Sequence, residues 1–119
     1  MKDEKRKNVY SREDILNLLS EMTEFERAVL MATLEIPRGK VSTYKRIAEK
    51  IGRPNAYRAV GNVLHKNPLP PIIPCHRVIR SDGFIAGDEK SAETRKRLLI
   101  DEGVKVIGRR VKFSKDILY

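Results

Sequence analysis

Apolar residues recur at intervals of three and four along the first half of the chain. Ser11 with Asp14 three positions on resembles a capping box, and Ile15, Leu18, Leu19 and Met22 follow at helical spacing. The pattern predicts a first helix over Arg12–Met22. Thr23 with Glu26 repeats the start signal, and Phe25, Val29, Leu30 and Thr33-Leu34 supply an inward stripe until Pro37-Arg38-Gly39-Lys40 breaks the helix. Ser42 is then positioned to cap a helix over Thr43–Ile51. Its Ile47, Ala48 and Ile51 face inward, and Lys45, Arg46, Glu49 and Lys50 face outward. Gly52 suits the residue just past its end. Pro54 fits the first turn of a further helix over Asn55–Lys66, whose apolar side reads Ala56, Ala59, Val60, Val63 and Leu64. It stops at Asn67-Pro68, because proline drives the preceding residue out of the helical region. Two helices around a short glycine-containing turn predict a helix-turn-helix.

The second half is less regular. Four prolines within Pro68–Pro74 predict an extended, stiff segment. Ile72-Ile73 and Val78-Ile79 flank Pro74-Cys75-His76-Arg77, Ser81-Asp82-Gly83 forms a turn, and Phe84-Ile85 suits a short return strand. Residues 86–91 are expected as a loop. A last helix over Ser91–Glu102 has Ala92, Leu98 and Leu99 inward and ends at Gly103. Val104–Phe113 alternates as a small hairpin around Gly108, with Arg109 and Arg110 near its tip. Residues 1–8 are expected to be a flexible basic arm and residues 9–119 a single domain. The expected fold is mainly α, winged-helix-like, with a short β element near the cysteine.

Composition narrows what this fold does. At 119 residues, 40% hydrophobic and 34% charged, the chain supports one modest core. Lys and Arg number 25 against 16 Asp and Glu, a net charge of +9 that suits a polyanion such as nucleic acid. No apolar run is long enough to span a membrane, and the N-terminus lacks the apolar centre of a signal peptide. No membrane association and a cytoplasmic location are therefore expected. One cysteine excludes an intrachain disulfide, and with only His65 and His76 beside it no zinc pattern remains; neither a metal nor a cofactor is expected.

Cys75 beside His76 carries the reactive potential. A thiolate is a strong, soft nucleophile, and a basic neighbour promotes its formation. A lone intracellular cysteine is more often a small buried hydrophobe, and adjacent residues on a regular strand face opposite ways. Pro74 breaks such regularity, and a bridging water can complete the link. The prolines ahead of Cys75 give it a rigid mount of the kind a reactive group needs. In the helix-turn-helix, Arg58 shares a helix with Ala56, Ala59 and Gly61, small residues that let a backbone approach another surface. His65, near a helix C-terminus, is explained by the helix dipole and receives no catalytic role.

Taken together, Val41-Ser-Thr-Tyr44-Lys-Arg-Ile-Ala48, Arg58-Ala-Val-Gly61, Asn67-Pro68 and Ile73-Pro-Cys-His-Arg-Val78 resemble the C-terminal domain of the O6-alkylguanine-DNA alkyltransferases, over about Phe25 to Gly103. The resemblance implies DNA repair by irreversible transfer of an alkyl group from O6 of guanine to Cys75, once per molecule. It makes His76 the base that forms the thiolate through a water, and Glu102 the acid that orients His76. Asn67 holds the turn ahead of the cysteine, and Tyr44 donates a hydrogen bond to the departing guanine. Arg58 fills the gap left by a flipped nucleotide. Ala56, Ala59, Gly61, Tyr44 and Arg77 complete a DNA-binding set laid against the minor groove. The implied partner is double-stranded DNA containing O6-alkylguanine, bound by a monomer.

Two features depart from the family pattern. Only about 24 residues precede the matching region where relatives often carry another domain, which suggests a minimal version of the family. The loop before the last helix brings Asp88, Glu89 and Lys90 to positions where an aromatic and small residues are usual, the nearest aromatic being Phe84. The alternative reading is an alkyltransferase-like protein that binds alkylated guanine without accepting the alkyl group and recruits other repair; Cys75 argues against it. A helix-turn-helix transcriptional regulator is a more remote alternative, because Asn55, Ala56 and Tyr57 make a weak base reader.

Overall fold

The computed structural model describes residues 10–119, so the basic arm expected over residues 1–8 lies outside the described residues. Both capping boxes form. Ser11 Oγ accepts the Asp14 N–H at 3.0 Å and the Asp14 carboxylate accepts the Ser11 N–H at 3.1 Å, starting α1 (Arg12–Leu18). Thr23 and Glu26 do the same for α2 (Glu24–Leu34). Helix α1 is a turn shorter than its periodicity implied, because the second box must begin at Thr23. Leu19 and Met22 still pack inward from the connecting turn, whereas Leu18, expected in the stripe, is exposed.

The chain then runs through β1 (Ser42–Thr43) into α3 (Tyr44–Lys50). Thr43 rather than Ser42 caps the helix, its Oγ1 accepting the Arg46 N–H at 3.1 Å, because Ser42 and Thr43 are held extended in a strand. Helix α3 closes with the Gly52 N–H on the Glu49 carbonyl and the Arg53 N–H on the Ala48 carbonyl, a Schellman arrangement that uses the positive φ of Gly52. Helix α4 (Tyr57–His65) completes the helix-turn-helix. It starts two residues later than expected, since Pro54 and Asn55 remain in the turn and Ala56 has no side chain with which to cap. Val60, Val63 and Leu64 are buried as expected, but Ala59 is exposed on the opposite side.

Residues 68–73 turn back on themselves instead of extending, with the Ile73 N–H bonded to the Leu69 carbonyl at 2.8 Å. Proline fixes φ but leaves ψ free, so a proline-rich segment can be stiff and still curl. Cys75–Arg77 form a single 3₁₀ turn that leads into β2 (Val78–Ile79). Strand β2 pairs in parallel with β1, Ser42 opposite Val78 and Thr43 opposite Ile79. Phe84 makes only an isolated bridge, to Arg110, in place of a return strand. Helix α5 (Glu89–Asp101) starts two residues before the expected point because Asp88 accepts the Ser91 N–H at 2.8 Å and so caps it. The terminal hairpin forms as expected, β3 (Val106–Ile107) antiparallel to β4 (Arg110–Val111) across Gly108-Arg109.

Two apolar clusters meet at the short parallel pair. One gathers α1–α4 with Ile73 and Val78; the other gathers Val41, Ile79, Ile85, Ala92, Leu99, Val104 and Val111. Neighbouring strand residues point to opposite faces, so Val78 anchors the helical cluster and Ile79 the hairpin cluster. The turn carrying Cys75 is thereby fixed to both halves. Where the hairpin joins this frame, Gly83 has φ +89°, and a Cβ there would lie 2.7 Å from the Val111 carbonyl oxygen, whose position the hairpin fixes. Gly83→Ala should therefore cost about 2 kcal/mol or more, measured as a lowered denaturant midpoint at unchanged slope.

Candidate active site

The 3₁₀ turn removes the strand-geometry objection to cooperation between Cys75 and His76. Both lie on one tight turn and both line a single cavity of about 260 Å³ with Asn67, Pro70, Arg95 and Leu98. The turn is held from the front by Asn67, whose Nδ2 donates to the Ile73 carbonyl at 2.7 Å while its Oδ1 accepts the Leu69 N–H at 2.9 Å. Asn67 therefore closes the proline-rich loop that delivers Cys75, which is half-buried with a free thiol.

His76 is 2% exposed. Its Nε2 lies 2.8 Å from a Glu102 carboxylate oxygen, and since an ionised carboxylate only accepts, Nε2 carries the proton. Nδ1 is left with its lone pair, buried and without a hydrogen-bond partner among the described residues. Burial pushes the His76 pKa down, and nearby Arg77 and Arg95 add to this. Together these outweigh the pull of Glu102 in the other direction, so the ring is neutral near pH 7. A neutral imidazole with a buried, unused lone pair is a base.

Glu102 stands at the C-terminal cap of α5. Burial alone would raise its pKa. Hydrogen bonds from Arg77 and His76, with the charge of Arg77, overcome this and hold it at about 2. Arg77 donates from Nε and Nη2 to the two carboxylate oxygens, each at 2.8 Å, and from Nη1 to the Ile36 carbonyl at 2.7 Å. Arg77, expected in the DNA-binding set, has its guanidinium turned inward, bracing Glu102 against the end of α2. The bidentate geometry takes the donors that phosphate would need.

Tyr44, the first residue of α3, leans its ring towards α4, where a Cβ at Gly61 would sit 3.7 Å from it. Burial raises the Tyr44 pKa, partly offset by the guanidinium of Arg95 beside its hydroxyl, so the phenol keeps its proton and remains a donor. Gly61 therefore faces this ring more than the open surface. Arg58 and Ala59 are exposed on the outer side of α4, and Ala56 is half-buried at its start. Arg58 borders a groove of about 340 Å³ shared with Tyr44, Gly61, Asn62, Arg80 and Gly87. Cys75, His76 and Asn67 thus line one cavity with Glu102 behind His76, while Tyr44, Arg58 and Gly61 line the adjoining groove, with Ala56 at the start of α4 and Ala59 on its outer side.

Three arginines were given no role from the sequence. Arg95 lines the cysteine cavity and donates to the Ala86 carbonyl at 3.2 Å. Arg109, from the hairpin, donates to the Ile85 carbonyl at 2.8 Å and to the Gly87 carbonyl. Arg80 lies beside the groove, and Phe84 is stacked among Arg80, Arg109 and Arg110. Asp88, Glu89 and Lys90 do not line the cavity. They form the cap and first turn of α5 and face outward, and Phe84 does not replace them there. Arg95 was detectable in principle, since positions 92, 95, 99 and 102 share one face of α5 with buried Ala92 and Leu99. Among the described residues no group of His, Cys, Asp and Glu could hold a metal ion, and no helix is long and apolar enough to cross a membrane.

Fold and site together define a helix-turn-helix domain that mounts a cysteine next to a histidine–glutamate base. Residues 24–104 match the profile of the 6-O-methylguanine DNA methyltransferase, DNA binding domain, and the chain belongs to this family. A methylated-DNA–protein-cysteine methyltransferase of Methanosarcina barkeri is 49% identical over 84 residues, 71% of this chain and 53% of that protein. The Mycobacterium tuberculosis O6-methylguanine methyltransferase superposes with a TM-score of 0.65 at 41% identity, covering 67% of this chain and 48% of that one. S. pombe Atl1, in complex with damaged DNA containing O6-carboxymethylguanine, superposes with a TM-score of 0.73 at 33% identity, covering 83% of this chain and 97% of Atl1. The chain spans about half the length of the methyltransferases it matches and nearly all of Atl1.

Proposed function

We propose that this protein repairs DNA by transferring an alkyl group, methyl in the simplest case, from O6 of guanine to Cys75. The observation that carries the reading is the turn at residues 75–77. It sets a half-buried thiol beside a neutral histidine whose Nδ1 is unused and whose Nε2 is fixed by Glu102. In this reading His76 takes the thiol proton through a water. The thiolate attacks the alkyl carbon, and the C–O6 bond breaks with its electron pair passing to guanine. Tyr44 stabilises that developing charge by donating its hydrogen bond. Glu102 acts through His76, and Arg77 through Glu102; both are positioning residues. The product is a thioether, whose C–S bond ordinary side-chain nucleophiles do not cleave, so each molecule acts once.

Reaching O6 requires the nucleotide to leave the stack, which costs a few kcal/mol. The outer face of α4, with Arg58 projecting between small residues, suits insertion into the stack, while the positive charge supplies sequence-independent affinity for phosphates. Residues 9–119 act as one domain and as a monomer on double-stranded DNA, in the cytoplasm, where reducing conditions keep Cys75 a thiol.

The non-catalytic alternative has one observation in its favour, the overlap with nearly the whole of Atl1. Examining the DNA separates the two. Duplex containing O6-methylguanine, incubated with substoichiometric protein and digested to nucleosides, should show guanine appearing in an amount equal to the protein added. A lesion that stays intact while the protein remains bound to it would favour the Atl1-like role.

A further inference from the structure

We infer that the cavity beside Cys75 is built for an O6 substituent carrying an anionic group, with Arg95 as the residue that recognises it. The inference rests on the alkyl-transfer reading and specifies its substrate class. Arg95 is half-buried and lines the same cavity as Cys75 and His76, whose other walls include the apolar Leu64, Pro70 and Leu98. Its position is fixed. The backbone of α5 places it one turn before buried Leu99, and its Nη1 donates to the Ala86 carbonyl at 3.2 Å. The loop bearing that carbonyl is itself held by Arg109, which binds the Ile85 and Gly87 carbonyls on either side.

Among the described residues the charge on Arg95 is not matched by a carboxylate. Glu102 is taken by His76 and Arg77. Asp88 caps α5 through the Ser91 N–H, and Glu93 pairs with Arg97 at 3.6 Å on the exposed side of the helix. None of the described carboxylates forms an ion pair with Arg95. The positively ionisable group next to it in the lining, His76, is neutral, and His65 lies at the cavity's edge. A fixed guanidinium with no counter-charge, between apolar walls that strengthen its field, calls for an anion.

A methyl substituent offers this cation no partner, whereas a carboxymethyl substituent does. In O6-carboxymethylguanine the carboxylate sits on the carbon under attack, so an approaching thiolate meets a like charge. The Arg95 guanidinium binds that carboxylate and screens the repulsion. The Sγ–CH2 bond forms as the CH2–O6 bond breaks, with the electron pair going to guanine. The proton lost by the thiol is balanced by the one guanine regains, leaving S-carboxymethylcysteine and guanine.

The test is single-turnover transfer to the full chain from one duplex sequence carrying O6-methylguanine, O6-carboxymethylguanine or its neutral carbamoylmethyl isostere. The wild-type protein should react at least tenfold faster with the carboxymethyl than with the carbamoylmethyl adduct. In Arg95→Gln the carboxymethyl-to-methyl rate ratio should fall tenfold or more, and Arg95→Lys should keep most of it. The isostere comparison uses unaltered protein, so it stands whether or not a variant folds. Equal rates for the two isosteres, or an Arg95→Gln ratio equal to wild type because both rates fall together, would overturn the inference, the latter assigning Arg95 to the thiolate. Wild-type transfer from methyl but not carboxymethyl adducts would overturn it alone. Transfer from none of the three would bring down the alkyl-transfer reading with it.

Discussion

Glu102→Gln should lower the single-turnover transfer rate about a hundredfold or more and weaken the fold at the same time. The glutamate holds His76 in the tautomer that leaves Nδ1 free, and it is the only carboxylate on the inward-turned Arg77 among the described residues. A glutamine keeps one acceptor but presents N–H to the other donor, so the imidazole loses its fixed orientation. Removing one member of a buried pair also strands the other charge, at about 3–5 kcal/mol.

The acid dependence follows from the same contacts. The Glu102 carboxyl is depressed from 4.5 to about 2 in the folded state. Its stabilising contribution, about 3 kcal/mol, is full above pH 4.5 and is lost as pH falls towards 2. His76, also depressed from its ordinary 6.5, acts in the same direction, because the folded state resists a proton that the unfolded chain accepts. Chemical denaturation of wild type between pH 5 and pH 2 should therefore show a steep loss that Glu102→Gln flattens. Transfer activity should persist below pH 6.5 and fall only when His76 is protonated. A variant that loses stability yet transfers at the wild-type rate would make Glu102 a brace with no part in orienting the base.

Arg58→Ala carries the second large effect, and it should leave the fold intact. The side chain is exposed on the outer face of α4, so thermal stability should change by no more than about 0.5 kcal/mol. If the guanidinium fills the space of the extruded nucleotide, the ratio of transfer from lesion in duplex to transfer from the free O6-methylguanine base should drop about tenfold to a hundredfold. That range corresponds to a flipping cost of a few kcal/mol left partly uncompensated. An unchanged ratio, with binding weakened equally for damaged and undamaged duplex, would make Arg58 an ordinary phosphate contact.

Local signals in the sequence carried far for this protein where one residue decides the outcome. Two capping boxes fixed the starts of α1 and α2, Gly52 fixed the end of α3, and the alternation around Gly108 yielded the hairpin. The misplacements arose where distant chain competes. Ser42 looked like a cap only until Val78–Ile79 arrived to pair with it, and the proline segment curled because Asn67 reaches across to Ile73. The same division holds in the site. Cys75, His76 and Asn67 line one cavity with Glu102 behind His76, whereas Tyr44 lines the adjoining groove beside Arg58. Arg77, next to the cysteine in sequence, was expected outside because nothing local reveals that Glu102 and the Ile36 carbonyl wait for it. Arg95 and Arg109 were given no role for the same reason: their carbonyl partners at residues 85–87 are supplied by the fold.

The most direct test of the account is the intact mass of the protein after reaction with excess duplex containing O6-methylguanine, with Cys75→Ser alongside. The account predicts a gain of one methyl group and no more, located on Cys75 by peptide mapping, and no gain in the serine variant. An unchanged wild-type mass from protein that binds the lesion, or a methyl group found on any other residue, would contradict it.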